Sequence, residues 1–169
     1  IAKRAAEHLC HLYRATHGLD VVIARCFAFV GPDLPLDVHF AIGNFIRDAL
    51  QNESITVSGD GSAIRSYLEQ SDLAEWLMVL LLRGVSGETY NVGSDQAVTI
   101  RELAYLVRDL LAPEKSVQIN GSPQASDSRN RYVPDISKAK EDLGCHVRIP
   151  LAEAIRLTAA ASRISYTPD

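Results

Sequence analysis

"ITVSGDGSAIRSYLEQSDLAEWL", residues 55–77, changes its periodicity twice. Ile55 to Val57 reads as a short strand, Gly59-Asp60-Gly61 as a tight turn, and Ala63 to Leu68 as a returning strand. Three- and four-residue spacing then takes over. Leu73, Trp76, Leu77, Leu80 and Leu81 fall on one face of a helix expected to run to about Arg83 and to bury that face. Asp72 and Glu75 bracket its start as a capping pair. Strand and helix following each other so closely point to an α/β fold. One residue does not fit. Arg65 stands at the start of the strand, where a sheet residue is usually apolar or neutral. Alternation puts Arg65, Tyr67 and Glu69 on one face and Ile64, Ser66 and Leu68 on the other. Taken alone, Arg65 suits a salt bridge to Glu69 or Asp60.

The same alternation of elements continues outward. Upstream, Ala2 to His17 has Ala5, Leu9, Leu12, Tyr13 and Thr16 on one helical face, with Gly18 as its stop. Val21 to Phe29, "VVIARCFAF", reads as one strand covered on both faces. The loop "GPDLPLD" leads into a helix from about Val38 to Gln51. Downstream come a strand over Gly87 to Val92 and a helix opened by a Thr99–Glu102 capping box. A short strand at Val117 to Ile119 and the polar loop "NGSPQASDSRN" follow. A helix capped by Asp135 then ends at Leu143-Gly144, and a last helix opens at Pro150. No glycine-rich G-x-G-x-x-G follows any strand, so the fingerprint of a complete dinucleotide-binding domain is missing.

The bulk numbers narrow the function classes. A chain of 169 residues is one domain by the length prior. A net charge of −4 with scattered basic residues argues against a nucleic-acid partner. No apolar run is long enough to span a membrane, so a membrane partner is not expected. Cys10, Cys26 and Cys145 form no C-x-x-C pair, which leaves neither a zinc site nor a redox motif and suits a reduced, cytoplasmic protein. His8 and His11 share a helix face without a third ligand, so no metal site is expected. No serine sits in a G-x-S-x-G context.

Lys3 opening a helix, then "ARCFAFVGP", "NFIRDAL", "ITVSGDGSAIRSYLEQSDLAEWL", "GETYNVGS", "TIRELAYLV" and "RYVPDISKAKEDLG", in this order, resemble the C-terminal half of the extended short-chain dehydrogenase/reductase family. These are the NAD-dependent nucleotide-sugar epimerases and 4,6-dehydratases. The resemblance runs from Lys3 to about Ile155. It implies the C-terminal part of an extended Rossmann-type fold: the end of a dinucleotide-binding sheet plus a small mixed α/β substrate-binding subdomain, with the glycine-rich half absent. The implied chemistry passes through a transient 4-keto sugar, with NAD held mainly by that absent half. The implied partner is a nucleotide-diphosphate sugar, and the implied assembly a homodimer formed in part by the first helix.

The resemblance also assigns residues. Lys3 matches the lysine that bonds the nicotinamide ribose and lowers the pKa of a tyrosine four residues earlier; that tyrosine would lie two residues before Ile1. Cys26 stands where some epimerases have a tyrosine beside the nicotinamide, and Phe27 follows it on the cofactor side. Arg65 matches the arginine that grips the diphosphate, a task suited to a planar guanidinium. Arg131 looks like a second phosphate-side arginine, though Arg129 could take that part. Asn91 matches a residue near the diphosphate or is simply a turn-forming asparagine. Ala28 replaces an asparagine common in the family. Two other readings stay open: a nucleotide-sugar-binding module without catalysis, and an extended-family reductase of a non-sugar carbonyl.

Overall fold

The structure is a computed structural model, and it describes residues 1–38, 40–122 and 130–164. Its elements are α1 (Ala2–His17), β1 (Ile23–Cys26), β2 (Phe29–Val30), α2 (Ala41–Gln51), β3 (Ser54–Val57), β4 (Ile64–Arg65), β5 (Leu68–Glu69), α3 (Gln70–Arg83), β6 (Thr89–Val92), β7 (Val98–Thr99), α4 (Ile100–Leu111), β8 (Ser116–Ile119), β9 (Arg131–Tyr132), α5 (Ser137–Leu143) and α6 (Leu151–Ile164). The α/β fold expected from the alternation is present. Among the described residues, β1 pairs with β6, β2 with β5 and β3 with β8, all parallel. The central β4 pairs antiparallel with β7 and parallel with β9.

Two apolar cores hold these layers. Ile42, Phe45 and Ile46 of α2 pack with Ile55 of β3, Leu103 and Val107 of α4 and Ile155 of α6. Trp76 and Leu80 of α3 pack with Tyr90 and Val92 of β6 and with Ile136 and Leu143 around α5. The buried Trp76 indole also donates from Nε1 to the His146 carbonyl at 3.3 Å.

Two strands expected to be continuous are each broken. Residues 21–29 do not form one covered strand: β1 stops at Cys26, β2 starts at Phe29 in a different sheet, and the far end of β1 is exposed. Residues 63–68 likewise divide into β4 and β5, again in different sheets. The breaks lie side by side, because Leu68 N–H donates to the Ala28 carbonyl at 3.0 Å. At both places the chain enters the β2–β5 sheet, from the β1–β6 sheet at the first and from the β4 sheet at the second.

The helix ends also correct the expectation. The α2 helix begins at Ala41 rather than Val38. Glu69, not Asp72, caps α3, its carboxylate accepting from Ser71 N–H at 2.5 Å. Asp72 is buried one turn in and accepts from the amides of Arg148 and Ile149 at 2.9 and 3.0 Å, pinning the segment before α6. Glu75 pairs with Arg148 at 2.6 Å. Of the five apolar residues expected to be buried on α3, Trp76 and Leu80 are, whereas Leu81 is 76% exposed. The Thr99–Glu102 capping box is present in full. Asp135 accepts from the Ser137 amide at 2.9 Å at the start of α5.

Helix α1 stands apart. None of its residues is buried, and Leu9, Leu12 and Tyr13 face solvent. Polar contacts hold it to the sheet. Arg25 of β1 forms a fork with Glu7, Nε to Oε1 at 2.7 Å and Nη2 to Oε2 at 2.6 Å. Arg14 Nε donates to Ser86 Oγ at 3.0 Å.

Candidate active-site cleft

The two chain crossings shape the cleft. Phe27 and Ala28, in the gap between β1 and β2, line one wall, and Arg65 and Tyr67, flanking the gap between β4 and β5, line another. Phe40 and Ala41 at the start of α2, with Leu34, Ile100 and Tyr132, complete a cleft of about 620 Å³. The rings of Phe27 and Tyr132 lie 4.8 Å apart and tilted by 32°. A second chamber of about 310 Å³ shares Ala41 and Ile100 with the first and is lined by polar residues, among them Asn44, Thr56, Ser58, Asp60 and Asn130.

Arg65 lines the aromatic chamber and reaches Asn130 of the polar one. Its Nη1 donates to the carbonyls of Ile64 and Asn130, both at 2.8 Å, and Nη2 reaches Asn130 Oδ1 at 3.4 Å. The bridge to Glu69 is not made, because Glu69 is buried and turned to the start of α3. Arg65 and Tyr67 thus share the cleft, as alternation expects, whereas Glu69 is turned away to cap α3. Burial pushes the Tyr67 phenol up to about 12, against the lowering effect of the Arg65 charge. No side chain caps the first turn of α2, and Ala41 at its first position lines the cleft, so the positive end of a helix faces the same space as Arg65. Both are positive features of the kind that attract an anion.

The other expected site residues fall in different places. Lys3 is exposed near the start of α1. Its positive charge acts on Cys26, offsetting part of the rise that partial burial imposes on that thiol. Lys3, Cys26 and Phe27 thus gather at the carboxyl ends of the parallel pair β1–β6, where α/β sheets hold ligands. Arg131 is exposed on β9 opposite Ile64, while Tyr132 is opposite Arg65. Alternation therefore gives Tyr132 the cleft face and leaves Arg131 at the rim. Arg129 lies outside the described residues. Asn91 does not line either chamber; its Nδ2 donates to the Asp135 carbonyl at 2.8 Å, holding the segment before α5.

Sequence reasoning missed Tyr67, Phe40, Tyr132 and Asn130. Tyr67 was visible as the residue two beyond Arg65, and Tyr132 as the neighbour of Arg131. Nothing local to Phe40 or Asn130 marked them. Among the described residues no group of three or more His, Cys, Asp or Glu side chains gathers to hold a metal ion. No helix among them is long and apolar enough to cross a membrane.

Residues 1–93 match the model of the NAD dependent epimerase/dehydratase family. The chain belongs to this family. A UDP-glucuronic acid decarboxylase of Danio rerio is 36% identical over 156 residues, which is 92% of this chain and 37% of that protein. The UDP-glucose 4-epimerase of Thermotoga maritima, solved with UDP-glucose, superposes with a TM-score of 0.87 at 23% identity over 98% of this chain and 53% of that one. The dTDP-glucose 4,6-dehydratase of Streptomyces venezuelae, solved with NAD bound, gives a TM-score of 0.79 at 26% identity over 96% of this chain and 49% of that one. The chain thus spans about 34 to 45% of the length of the curated relatives it matches.

Proposed function

We propose that the chain is the substrate-binding portion of an NAD-dependent nucleotide-sugar epimerase or 4,6-dehydratase that works through a transient 4-keto sugar. The observation that carries this reading is the meeting of Arg65 and the uncapped start of α2 at the junction of an aromatic and a polar chamber. A nucleotide-sugar has the same three-part layout, with its diphosphate in the middle. NAD bound there would supply reversible hydride exchange with the sugar C4. Lys3 and Phe27 at the carboxyl ends of β1 and β6 fit the nicotinamide side of that cofactor. Lys3 would bond the ribose there and, as a cation, would favour ionisation of a phenol brought beside it. Arg131 at the rim adds a second cation toward the phosphates.

In this reading β1–β6 is the end of a dinucleotide-binding sheet, and the first core with its helices α2, α4 and α6 is the substrate subdomain. The unpaired edge of β1 among the described residues, and the apolar surface of Val22, Ala24, Leu77 and Leu81 beside it, accept the remainder of that sheet. The exposed Leu9, Leu12 and Tyr13 of α1 pack against the same helix of a second copy. Three free thiols suit the reducing cytoplasm.

Calorimetric titration with UDP tests the site. The wild-type chain binds, and Arg65→Ala loses roughly 10- to 100-fold, the worth of a charge-assisted hydrogen-bonded pair. Equal affinity in the two proteins contradicts the assignment of Arg65.

A further inference from the structure

The two chambers differ in chemistry, and that difference bears on the sugar. Building on the reading above, we propose that the aromatic chamber holds the hexose and selects an uncharged one, carrying a hydroxymethyl or methyl group at C6, against a uronic acid. The relative from Danio rerio is named for a uronic acid, so this separates the present chain from it.

Orientation comes first. Phe27 lines the aromatic chamber and directly follows Cys26, on which the Lys3 charge acts. The reacting end of a bound ligand therefore lies on that side. The opposite chamber offers the Asn44 amide, the hydroxyls of Thr56 and Ser58, and the Asn130 amide, which are partners for a base and a ribose. The diphosphate spans the junction at Arg65.

Charge decides the rest. Arg65 is the single cationic side chain among the described residues lining the aromatic chamber. A diphosphate engages that guanidinium and the positive end of α2. A carboxylate at C6 would then enter a space walled by Phe27, Phe29, Phe40, Tyr67 and Tyr132, lose water and meet, among the described lining residues, no cation beyond the Arg65 that the diphosphate engages. Desolvating an unpaired carboxylate is costly. A hydroxymethyl or methyl group loses little there.

The test is to measure by calorimetry, at one ionic strength, the dissociation constants of UDP, UDP-glucose and UDP-glucuronic acid for the chain and for Phe40→Arg. Phe40 is 56% exposed, so this substitution leaves both cores intact. UDP-glucose is expected to bind about tenfold or more tightly than UDP-glucuronic acid. Phe40→Arg, which brings a second cation to the chamber, is expected to shrink that ratio toward unity or reverse it. Binding of UDP together with equal or tighter binding of UDP-glucuronic acid by the wild type overturns the selectivity and leaves the nucleotide-sugar reading standing. An unchanged ratio in Phe40→Arg overturns the placement of the hexose in this chamber. Failure of UDP itself to bind overturns the parent reading and this one with it.

Discussion

Arg65 uses only part of its donor capacity inside the protein. A guanidinium carries five N–H groups in a fixed fork. Nη1 is occupied by two carbonyls and Nη2 reaches one amide oxygen, while Nε–H has no partner among the described residues. The Nε–Nη2 edge is thus open for two phosphate oxygens, and the Nη1 contacts fix its direction. Arg65→Lys keeps the charge but has no fork, so its UDP affinity should fall almost as far as that of Arg65→Ala; calorimetry on the three proteins checks this. Tyr67 reports on the same place. Its neutral form is favoured by burial, so the stability it contributes is present below the ordinary phenol pKa and is lost as pH rises through about 12. A spectrophotometric titration should show one of the six tyrosines ionising late, and later still in Arg65→Ala, where the lowering charge is gone. Ser66 lies between them with a buried hydroxyl that finds no partner among the described residues. Ser66→Ala should leave the melting temperature unchanged or raise it, since no hydrogen bond is lost. Arg65 was conspicuous in the sequence because a charge interrupts an otherwise apolar run. Tyr132, opposite it in the sheet, was not, because pairing between residues 67 positions apart leaves no local trace.

At the scale of elements, the capping chemistry separates what is local from what is not. The Thr99–Glu102 box was legible because all its partners lie within four residues, and Thr99 hydrogen bonds hold the Glu102 carboxyl below the usual range. Thr99→Ala should cost about 1 kcal/mol in denaturant melts. Asp72 and Glu75 show the same spacing yet serve Arg148 and Ile149, far along the chain, and Glu69 takes the cap. Spacing alone could not reveal that competition. The broken strands were hidden for a related reason: apolar runs mark burial, and which sheet accepts each half is set by distant partners. Helix α1 depends on Glu7, whose hydrogen bond with Arg25 holds its carboxyl below the usual carboxylate range. A depressed folded-state pKa stabilises above the unfolded value and is lost as pH falls through the folded one. Amide exchange across α1 should therefore speed up as pH drops below the ordinary carboxylate range, after correction for intrinsic rates. Glu7→Gln should show that faster exchange already at neutral pH, with α4 unaffected.

Among the described residues two apolar cores meet at one cleft, and the remaining apolar surface is uneven. Leu9, Leu12 and Tyr13 lie on α1, and Leu81 and Leu82 on α3. Leu9, Leu12, Tyr13 and Leu81 belong to helix faces that the sequence marked as apolar, whereas Leu82 was not among them; in the proposed reading these exposed faces are where further protein packs. Sedimentation of the chain should show reversible self-association that weakens when Leu9 and Leu12 are both changed to Glu, while a double change of Leu81 and Leu82 leaves it in place. The central claim is the seat of the diphosphate between Arg65 and the start of α2. The most direct measurement is an NMR titration of the isotope-labelled chain with UDP, following the Arg65 Nε–H and the backbone amides. Saturable shifts at Arg65, Ala41, Ile42 and Tyr132, with the α3 face silent, are the predicted result. Shifts confined to residues away from both chambers, with Arg65 and Ala41 unmoved, would contradict it.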